Sequence, residues 1–212
     1  LSRGLGDVYK RQIYGKGLAT YNTSLSLMAL LHVSKREGIE PAIRQARRFL
    51  INQQADEDVR GETDGAFDGG IGYGGSHPHS DMSNSHLAME ALYYSRQVLA
   101  DRPEGVGLKL DWDAAITFVS RCQNLETNDQ EYVAVTDENR GGFVYFPGDS
   151  KAGEDEMDDK IALRSYGSMG YAGLLSFIYA EMKPDDKRVV AVKEWLSKNY
   201  SIEENPGMGA QG

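Results

Sequence analysis

The chain has 212 residues, of which 32 are acidic and 23 basic, giving a net charge of −9 and a pI near 5.0. Its 40% hydrophobic and 26% charged residues exclude a disordered chain and fit one domain or slightly more. The acidic balance argues against nucleic acid or an anionic membrane as partner, because those need clustered Lys and Arg. The single cysteine, Cys122, excludes an internal disulfide and a zinc site of several cysteines.

The first twelve residues resemble a translated sequencing adaptor rather than part of a folded domain. Asp7 to Gln12 is similar to the translation of a mosaic-end adaptor used in sequencing libraries, so residues 1–12 are left out of the fold prediction. Residues 13–212 then carry 31 acidic and 20 basic side chains. We expect this part to be a translated fragment whose true N-terminus and any signal peptide are missing, which leaves the localisation unknown.

One type of apolar helix is predicted three times along the chain. Its copies align at Asn22, Asn84 and Ser168, and each continues into a run of apolar residues. In the first copy the apolar residues surround the helix almost completely, as expected of a helix enclosed by other helices. We therefore predict three inner helices.

A second, amphipathic type of helix lies after each copy of the first. These segments end near Gln54, Gln123 and Tyr200, with an aromatic residue five positions earlier. In the first segment Ala46 and Leu50 belong to an apolar stripe, and polar residues lie off the stripe, which is typical of a surface helix. We predict three outer helices. In the first of them, the residues that lie off the apolar stripe are Arg44, Gln45, Arg47 and Arg48. The predicted caps of the later two are Asp111 or Asp113, and Asp185 or Asp186.

Loops rich in glycine follow the outer helices at residues 69–73, 141–145 and 205–209. Glycine adopts backbone angles that other residues resist, so a neighbouring aromatic side chain is able to fold onto the adjacent repeat. The pattern predicts three inner–outer helix pairs. We expect the third loop to introduce a fourth inner helix and the chain to be truncated at its C-terminus.

A helix ending in Gln, then Gly-Gly-x-x-aromatic and another apolar helix, resembles the repeat of the prenyltransferase and squalene oxidase repeat proteins. That family includes triterpene cyclases and protein prenyltransferase beta subunits. The resemblance covers about residues 14–212 and is strongest to a bacterial branch. It implies an all-α fold, an (α/α) toroid whose inner helices line a central cavity, of which three pairs form about half a ring. A shared fold does not bring a shared active site.

The catalytic motifs of these relatives are not matched in this chain. The cyclases use an Asp-x-Asp-Asp acid, and the nearest run, Asp155 to Asp159, has a different spacing and is predicted to be a solvated acidic loop. Prenyltransferases hold zinc with Asp, Cys and His, whereas Cys122 lies on an apolar helix stripe and is predicted to be buried. Complement-like thioester loops resemble residues 206–211, but Met208 stands where their thiol would be. No metal site is predicted, and any cofactor is unknown.

Polar residues around the first glycine loop are the leading site candidates. Two imidazoles and a carboxylate within five residues are able to bind a metal or move protons. Alternatively, this is a polar loop in which Asp81 or Ser83 caps the next helix. In the resembled fold the loop opens at the cavity mouth, and Asp81 and Asn84 match positions that recur in the bacterial branch. We predict catalytic roles for His79 and Asp81, and ligand contacts from Tyr73, His77, Asn84 and His86.

The second glycine loop and the third inner helix supply further candidates. Arg164 either pairs with a carboxylate of the 149–159 run or holds an anionic ligand. Tyr171 and Tyr179 either line a cavity, where aromatic walls suit a carbocation or an apolar chain, or belong to the core. The predicted ligand contacts here are Tyr145, Arg164, Tyr166 and Tyr171.

Three functions of different classes fit these patterns. The resemblance favours an isoprenoid cyclase or transferase that acts on an apolar substrate in the cavity. The alternatives are a non-catalytic toroid that binds an apolar ligand or a protein, and a polysaccharide-active (α/α) barrel enzyme that uses His77, His79 or Asp81. The expected partner is an apolar or isoprenoid small molecule, and no integral membrane segment is expected. A half ring leaves its flanking helix faces uncovered, so the fragment alone is expected to aggregate or bind a hydrophobic dye.

Overall fold

A computed structural model describes residues 17–74, 79–99, 109–130, 133–157 and 160–209. The described chain is mostly helical, as predicted, and also contains a two-stranded antiparallel sheet that was not predicted. The helices are α1 (Ala19–Leu31), α2 (Ile39–Ile51), α3 (Met82–Ser95), α4 (Trp112–Arg121), α5 (Gly167–Tyr179) and α6 (Lys187–Lys198), and the strands are β1 (Glu154–Met157) and β2 (Lys160–Leu163). Residues 1–12, which were set aside as adaptor, lie outside the described ranges.

The three predicted inner helices pack side by side in chain order. Helix α3 lies between α1 and α5, while α2 packs against α1 and α3, and both α4 and α6 pack against α5. The inner helices are not enclosed on all sides, because Leu25 on α1 and Leu175 on α5 are exposed. Each end helix of the row has only one inner neighbour among the described helices, and this explains the exposure that the apolar sequence did not predict.

A glutamine that follows shortly after the end of each of the first two outer helices, α2 and α4, joins one repeat to the next. The Gln54 side-chain amide donates to Gly69 O at 3.0 Å and to Asp111 O at 2.8 Å. The Gln123 amide makes the same pair of bonds, to Gly141 O at 3.0 Å and to Arg188 O at 2.9 Å. Each glutamine thus fixes its own glycine loop to the start of the following outer helix.

The glycine loops pack directly on the following outer helix. A Cβ atom at Gly69 would lie 2.0 Å from Ala114 O, and one at Gly141 would lie 2.3 Å from Ala191 O. Both residues have positive φ, 82° and 90°, which glycine adopts without strain. The next glycine of each loop lies against an aromatic ring, Gly70 against Phe118 and Gly142 against Trp195. The aromatic residue in this contact comes from the following outer helix, Phe118 of α4 or Trp195 of α6, and not from the glycine loop itself as predicted.

Hydrogen bonds from the loops to the inner helices give the register of the three copies. The backbone N–H groups of Thr20, Met82 and Gly167 donate to carbonyl oxygens in the first, second and third glycine loops, at 3.2, 2.8 and 2.8 Å. These three residues are therefore equivalent. The predicted alignment holds between the first two copies but is wrong by one residue in the third, where Asn84 corresponds to Met169 instead of Ser168.

Helix caps follow the sequence prediction more closely than helix faces do. Asp111 and Asp186 cap α4 and α6 by accepting backbone N–H bonds of 3.0 and 2.9 Å. Arg47 was placed off the buried stripe of α2, and this is wrong. Its guanidinium is buried and donates to Leu92 O at 2.7 Å and to the Ser95 hydroxyl at 2.5 Å, so it ties α2 to the end of α3.

The acidic run that begins at Asp155 lies in the antiparallel hairpin formed by β1 and β2. All four residues of β1 are exposed, so the predicted solvation is confirmed. The predicted loop is wrong, since Glu154 to Met157 pair with Leu163 to Lys160 as strands. Asp158 and Asp159 lie outside the described residues.

Replacing Gly141 by alanine should destabilise the fold far more than the same change at Gly153. Both glycines have a φ near +90°, so holding an alanine in this backbone conformation costs about 1–2 kcal/mol in either variant. Only Gly141 faces a backbone oxygen at 2.3 Å, whereas the nearest atom to a Cβ at Gly153 is 3.8 Å away. We expect a further loss of about 1–3 kcal/mol in the free energy of unfolding of Gly141→Ala, measured by urea denaturation. Equal losses in both variants would contradict the repeat contact.

Candidate functional site

Asp81 occupies the N-cap of α3 and is the centre of the site. Its extended backbone directs the carboxylate back onto the helix, where one oxygen accepts the Asn84 backbone N–H and the other accepts the Asn84 side-chain amide, both at 2.9 Å. Of the two predicted caps, Asp81 rather than Ser83 is therefore used. Only 2% of Asp81 is exposed.

Burial dominates the acidity of Asp81. Removing the carboxylate from water raises the pKa above the usual 3.8, and this effect outweighs the two Asn84 hydrogen bonds and the attraction of Lys151, all of which lower the pKa. An acid with a raised pKa keeps its proton to a higher pH. Such a group is suited to proton donation in an apolar site.

Two of the predicted tyrosines, Tyr145 and Tyr166, lie near enough to Asp81 to interact with its charge, and Tyr73 is hydrogen-bonded to Tyr145. Tyr145 and Tyr73 share a hydrogen bond of 3.0 Å between their hydroxyls, and the Tyr145 carbonyl accepts the Met82 N–H next to Asp81. Tyr166 is buried at the N-cap of α5. Burial raises the pKa of both Tyr145 and Tyr166, and the negative charge of Asp81 raises both further. We call Tyr73, Asp81, Asn84, Tyr145 and Tyr166 the Asp81 cluster.

Two polar atoms in the Asp81 cluster have no hydrogen-bond partner among the described residues. They are the Asn84 side-chain oxygen and the Tyr166 hydroxyl, both on side chains that are at most 3% exposed. An unpaired buried polar group costs about 1–3 kcal/mol. A polar group of a ligand, or a bound water, would satisfy either atom.

His79 and His86 stack on different aromatic rings. His79 is exposed, and its ring stacks on Phe67 with centroids 4.8 Å apart. His86 lies further along α3 and stacks on Tyr179 at 6.0 Å; burial lowers its pKa, which favours the neutral imidazole. His77 lies outside the described residues.

Arg164 and Tyr171 are exposed, unlike Asp81. Arg164 is exposed and pairs with Asp155, with 2.9 Å between Arg164 Nε and one carboxylate oxygen, as one of its two predicted roles requires. Arg164 and Asp155 line a cleft of about 390 Å³ beside Trp195. Tyr171 is 44% exposed on α5, whereas Tyr179 is buried and donates to Glu90 at 3.0 Å. The two tyrosines therefore differ in burial, because Tyr179 packs on Glu90 and Tyr93 of α3.

Lys151 was missed by the sequence prediction. Its ammonium group lies 3.5 Å from the centre of the Tyr145 ring, and its charge lowers the pKa of Asp81. It follows the second glycine loop in a polar stretch with no periodicity, so only its closeness in sequence to Tyr145 could have indicated it. Lys151 supplies a positive charge next to the cluster.

Cys122 is fully buried, as predicted, and burial raises its thiol pKa well above the usual value. Within the described ranges, no group of three or more His, Cys, Asp or Glu side chains is arranged to hold a metal ion. No helix in the same ranges has the length and hydropathy needed to cross a membrane. Comparison with protein-family models, curated proteins and solved structures gives no match for this chain.

The stability difference between the wild type and Asp81→Asn should depend on pH. A folded-state pKa above 3.8 means that the contribution of Asp81 is present below that pH and is lost as the pH rises through the raised pKa. Asparagine is an equally good N-cap and does not titrate. We expect the free energy of unfolding of the wild type to fall relative to that of the variant as the pH rises. Urea denaturation from pH 3 to pH 8 measures this, and a difference that stays constant or rises with pH would contradict the raised pKa.

Proposed function

We propose that this chain is part of an (α/α) toroid of the prenyltransferase and squalene oxidase repeat type. On this proposal it acts on an apolar, isoprenoid-class molecule as a cyclase or transferase, with Asp81 as the acid. The observation that carries the proposal is a buried carboxyl group of raised pKa among tyrosine rings at the end of an inner helix. Protonation of an alkene needs an acid shielded from water, and aromatic faces stabilise the cation that forms.

The helix packing supports the toroid part of this proposal. Each described inner helix lies beside the next, and Gln54 and Gln123 bind successive repeats in the same way. Repeats joined by identical contacts rotate by a constant amount, which generates a curved array. On the inner side of such an array, the apolar and aromatic residues of α1, α3 and α5 would contact the ligand.

A second candidate, the non-catalytic toroid, is favoured by one specific observation. Both carboxylate oxygens of Asp81 already accept hydrogen bonds from Asn84, which is what a purely structural helix cap requires. In this candidate the unpaired Asn84 oxygen and Tyr166 hydroxyl bind the polar end of an apolar ligand without chemistry. The two candidates agree on binding and differ in turnover.

Replacing Asp81 by asparagine separates these two candidates. We expect the wild type to bind squalene or farnesyl diphosphate, measured by quenching of Trp and Tyr fluorescence, and to convert one of them, measured by mass spectrometry of the products. Asp81→Asn should retain binding and lose about 10²- to 10⁴-fold in turnover, because it keeps the helix cap but has no proton to donate.

The matched control is Asp111→Asn, which changes the exposed cap of α4 in the same way. This variant should bind and turn over like the wild type. Equal turnover by Asp81→Asn and wild type would contradict the catalytic role of Asp81. Binding of squalene without any conversion by the wild type would leave the non-catalytic toroid as the function.

A further inference from the structure

Asn84 has an unpaired hydrogen-bond acceptor inside the Asp81 cluster. Its side-chain N–H and its backbone N–H donate to the two carboxylate oxygens of Asp81, both at 2.9 Å. An ionised carboxylate only accepts hydrogen bonds, so it fixes the amide with its N–H side towards Asp81 and its oxygen away from it. That oxygen is buried and has no partner among the described residues, and Asn84 as a whole is 1% exposed. Only a group that carries an O–H or an N–H is able to pair with it.

The Tyr166 hydroxyl is a second unpaired group near the same carboxylate. Tyr166 is 3% exposed, and its hydroxyl has no partner within the described ranges. The residue lies close enough to Asp81 for the carboxylate charge to raise the pKa of the phenol. A phenol O–H is able to donate to an oxygen of a ligand. A ligand hydroxyl has both properties that these atoms require, since it donates to Asn84 and accepts from Tyr166.

The charges next to the cluster favour a neutral donor over a cationic one. The Lys151 ammonium lies 3.5 Å from the centre of the Tyr145 ring, and its charge acts on Asp81. A ligand ammonium group would be repelled by Lys151. A hydrocarbon or an ether has no hydrogen to donate and would leave the buried Asn84 oxygen unpaired, which is unfavourable. An alcohol is neutral and donates.

We propose that the apolar molecule bound at the Asp81 cluster is an alcohol whose hydroxyl donates a hydrogen bond to the Asn84 side-chain oxygen. This inference rests on the proposed function, because it takes the Asp81 cluster as the ligand site. It narrows the ligand from any isoprenoid-class molecule to one that carries a hydroxyl. A site with a buried acceptor that only the correct ligand pairs discriminates against the analogue without the donor. Asn84 therefore selects among ligands that share one hydrocarbon chain.

Farnesol, farnesyl methyl ether and farnesylamine share one hydrocarbon chain and test the proposal on the full chain. Their dissociation constants are measured by isothermal titration calorimetry at pH 8, which favours the ionised form of Asp81. We expect farnesol to bind about 10- to 100-fold more tightly than the ether, because the ether leaves the Asn84 oxygen unpaired. Farnesylamine should bind more weakly than farnesol, because Lys151 repels its ammonium group.

Asn84→Leu separates the hydrogen bond from the size of the ligand. Leucine is similar in size and keeps the backbone N–H that Asp81 accepts, but it has no side-chain oxygen. Farnesol and its ether should bind this variant equally, and a preference for farnesol that persists would show that the ether is rejected for its size. Asn22→Leu changes the equivalent position of α1 and is the matched control, which should keep the preference of the wild type. Tyr166→Phe should weaken both ligands by the same factor, because the ether oxygen also accepts.

Equal binding of farnesol and its methyl ether by the wild type would overturn the proposal and leave a bound water as the partner of Asn84. This comparison needs no variant, so it decides the question even where circular dichroism shows that Asn84→Leu is unfolded. Tighter binding of farnesylamine than of farnesol would also overturn the proposal, in favour of a cationic ligand. Equal binding of alcohol and ether leaves the proposed function intact, whereas binding of none of the three molecules would contradict the proposed function as well.

Discussion

The contact between a glycine loop and the following outer helix is the constraint on which the rest of the structure depends. At Gly69 and Gly141 the loop backbone lies so close to the next helix that no side chain fits, and the neighbouring glutamine binds both partners. Phe118 and Trp195 occupy the space above the next glycine. These contacts fix the distance and rotation between repeats, and the positions of the inner helices follow from them.

The same contacts assemble the Asp81 cluster. The second glycine loop is fixed to α6 at Gly141, and four residues later Tyr145 reaches the start of α3, where its carbonyl accepts the Met82 N–H. The Tyr145 ring is thereby held near Asp81, and its hydroxyl meets Tyr73 from the preceding loop. Tyr73 and Tyr145, from two glycine loops, are therefore joined to each other and to the start of α3, where Asp81 is the cap. A change at either glycine would disturb this site as well as the fold.

The features that were predicted correctly from the sequence are local or repeated. Helix caps such as Asp81 and Asp186 depend on residues three positions apart or fewer, and a glycine loop recurs after each outer helix. Cys122 was correctly placed in the core because it continues an apolar stripe.

The errors concern contacts between distant segments. Arg47 is polar yet buried, because Leu92 and Ser95, 45 and 48 residues away, supply its acceptors. The hairpin of β1 and β2 was missed because its first strand is acidic and fully exposed, without the alternation that indicates a strand.

The central claim is that an apolar ligand binds along the inner helices next to the Asp81 cluster. Hydrogen–deuterium exchange with and without squalene, followed by mass spectrometry of the peptides, tests it directly. We expect squalene to slow exchange in peptides that cover α3 and α5, and to leave α6 unchanged. Protection confined to α6, or no protection of any inner helix at saturating squalene, would contradict the account.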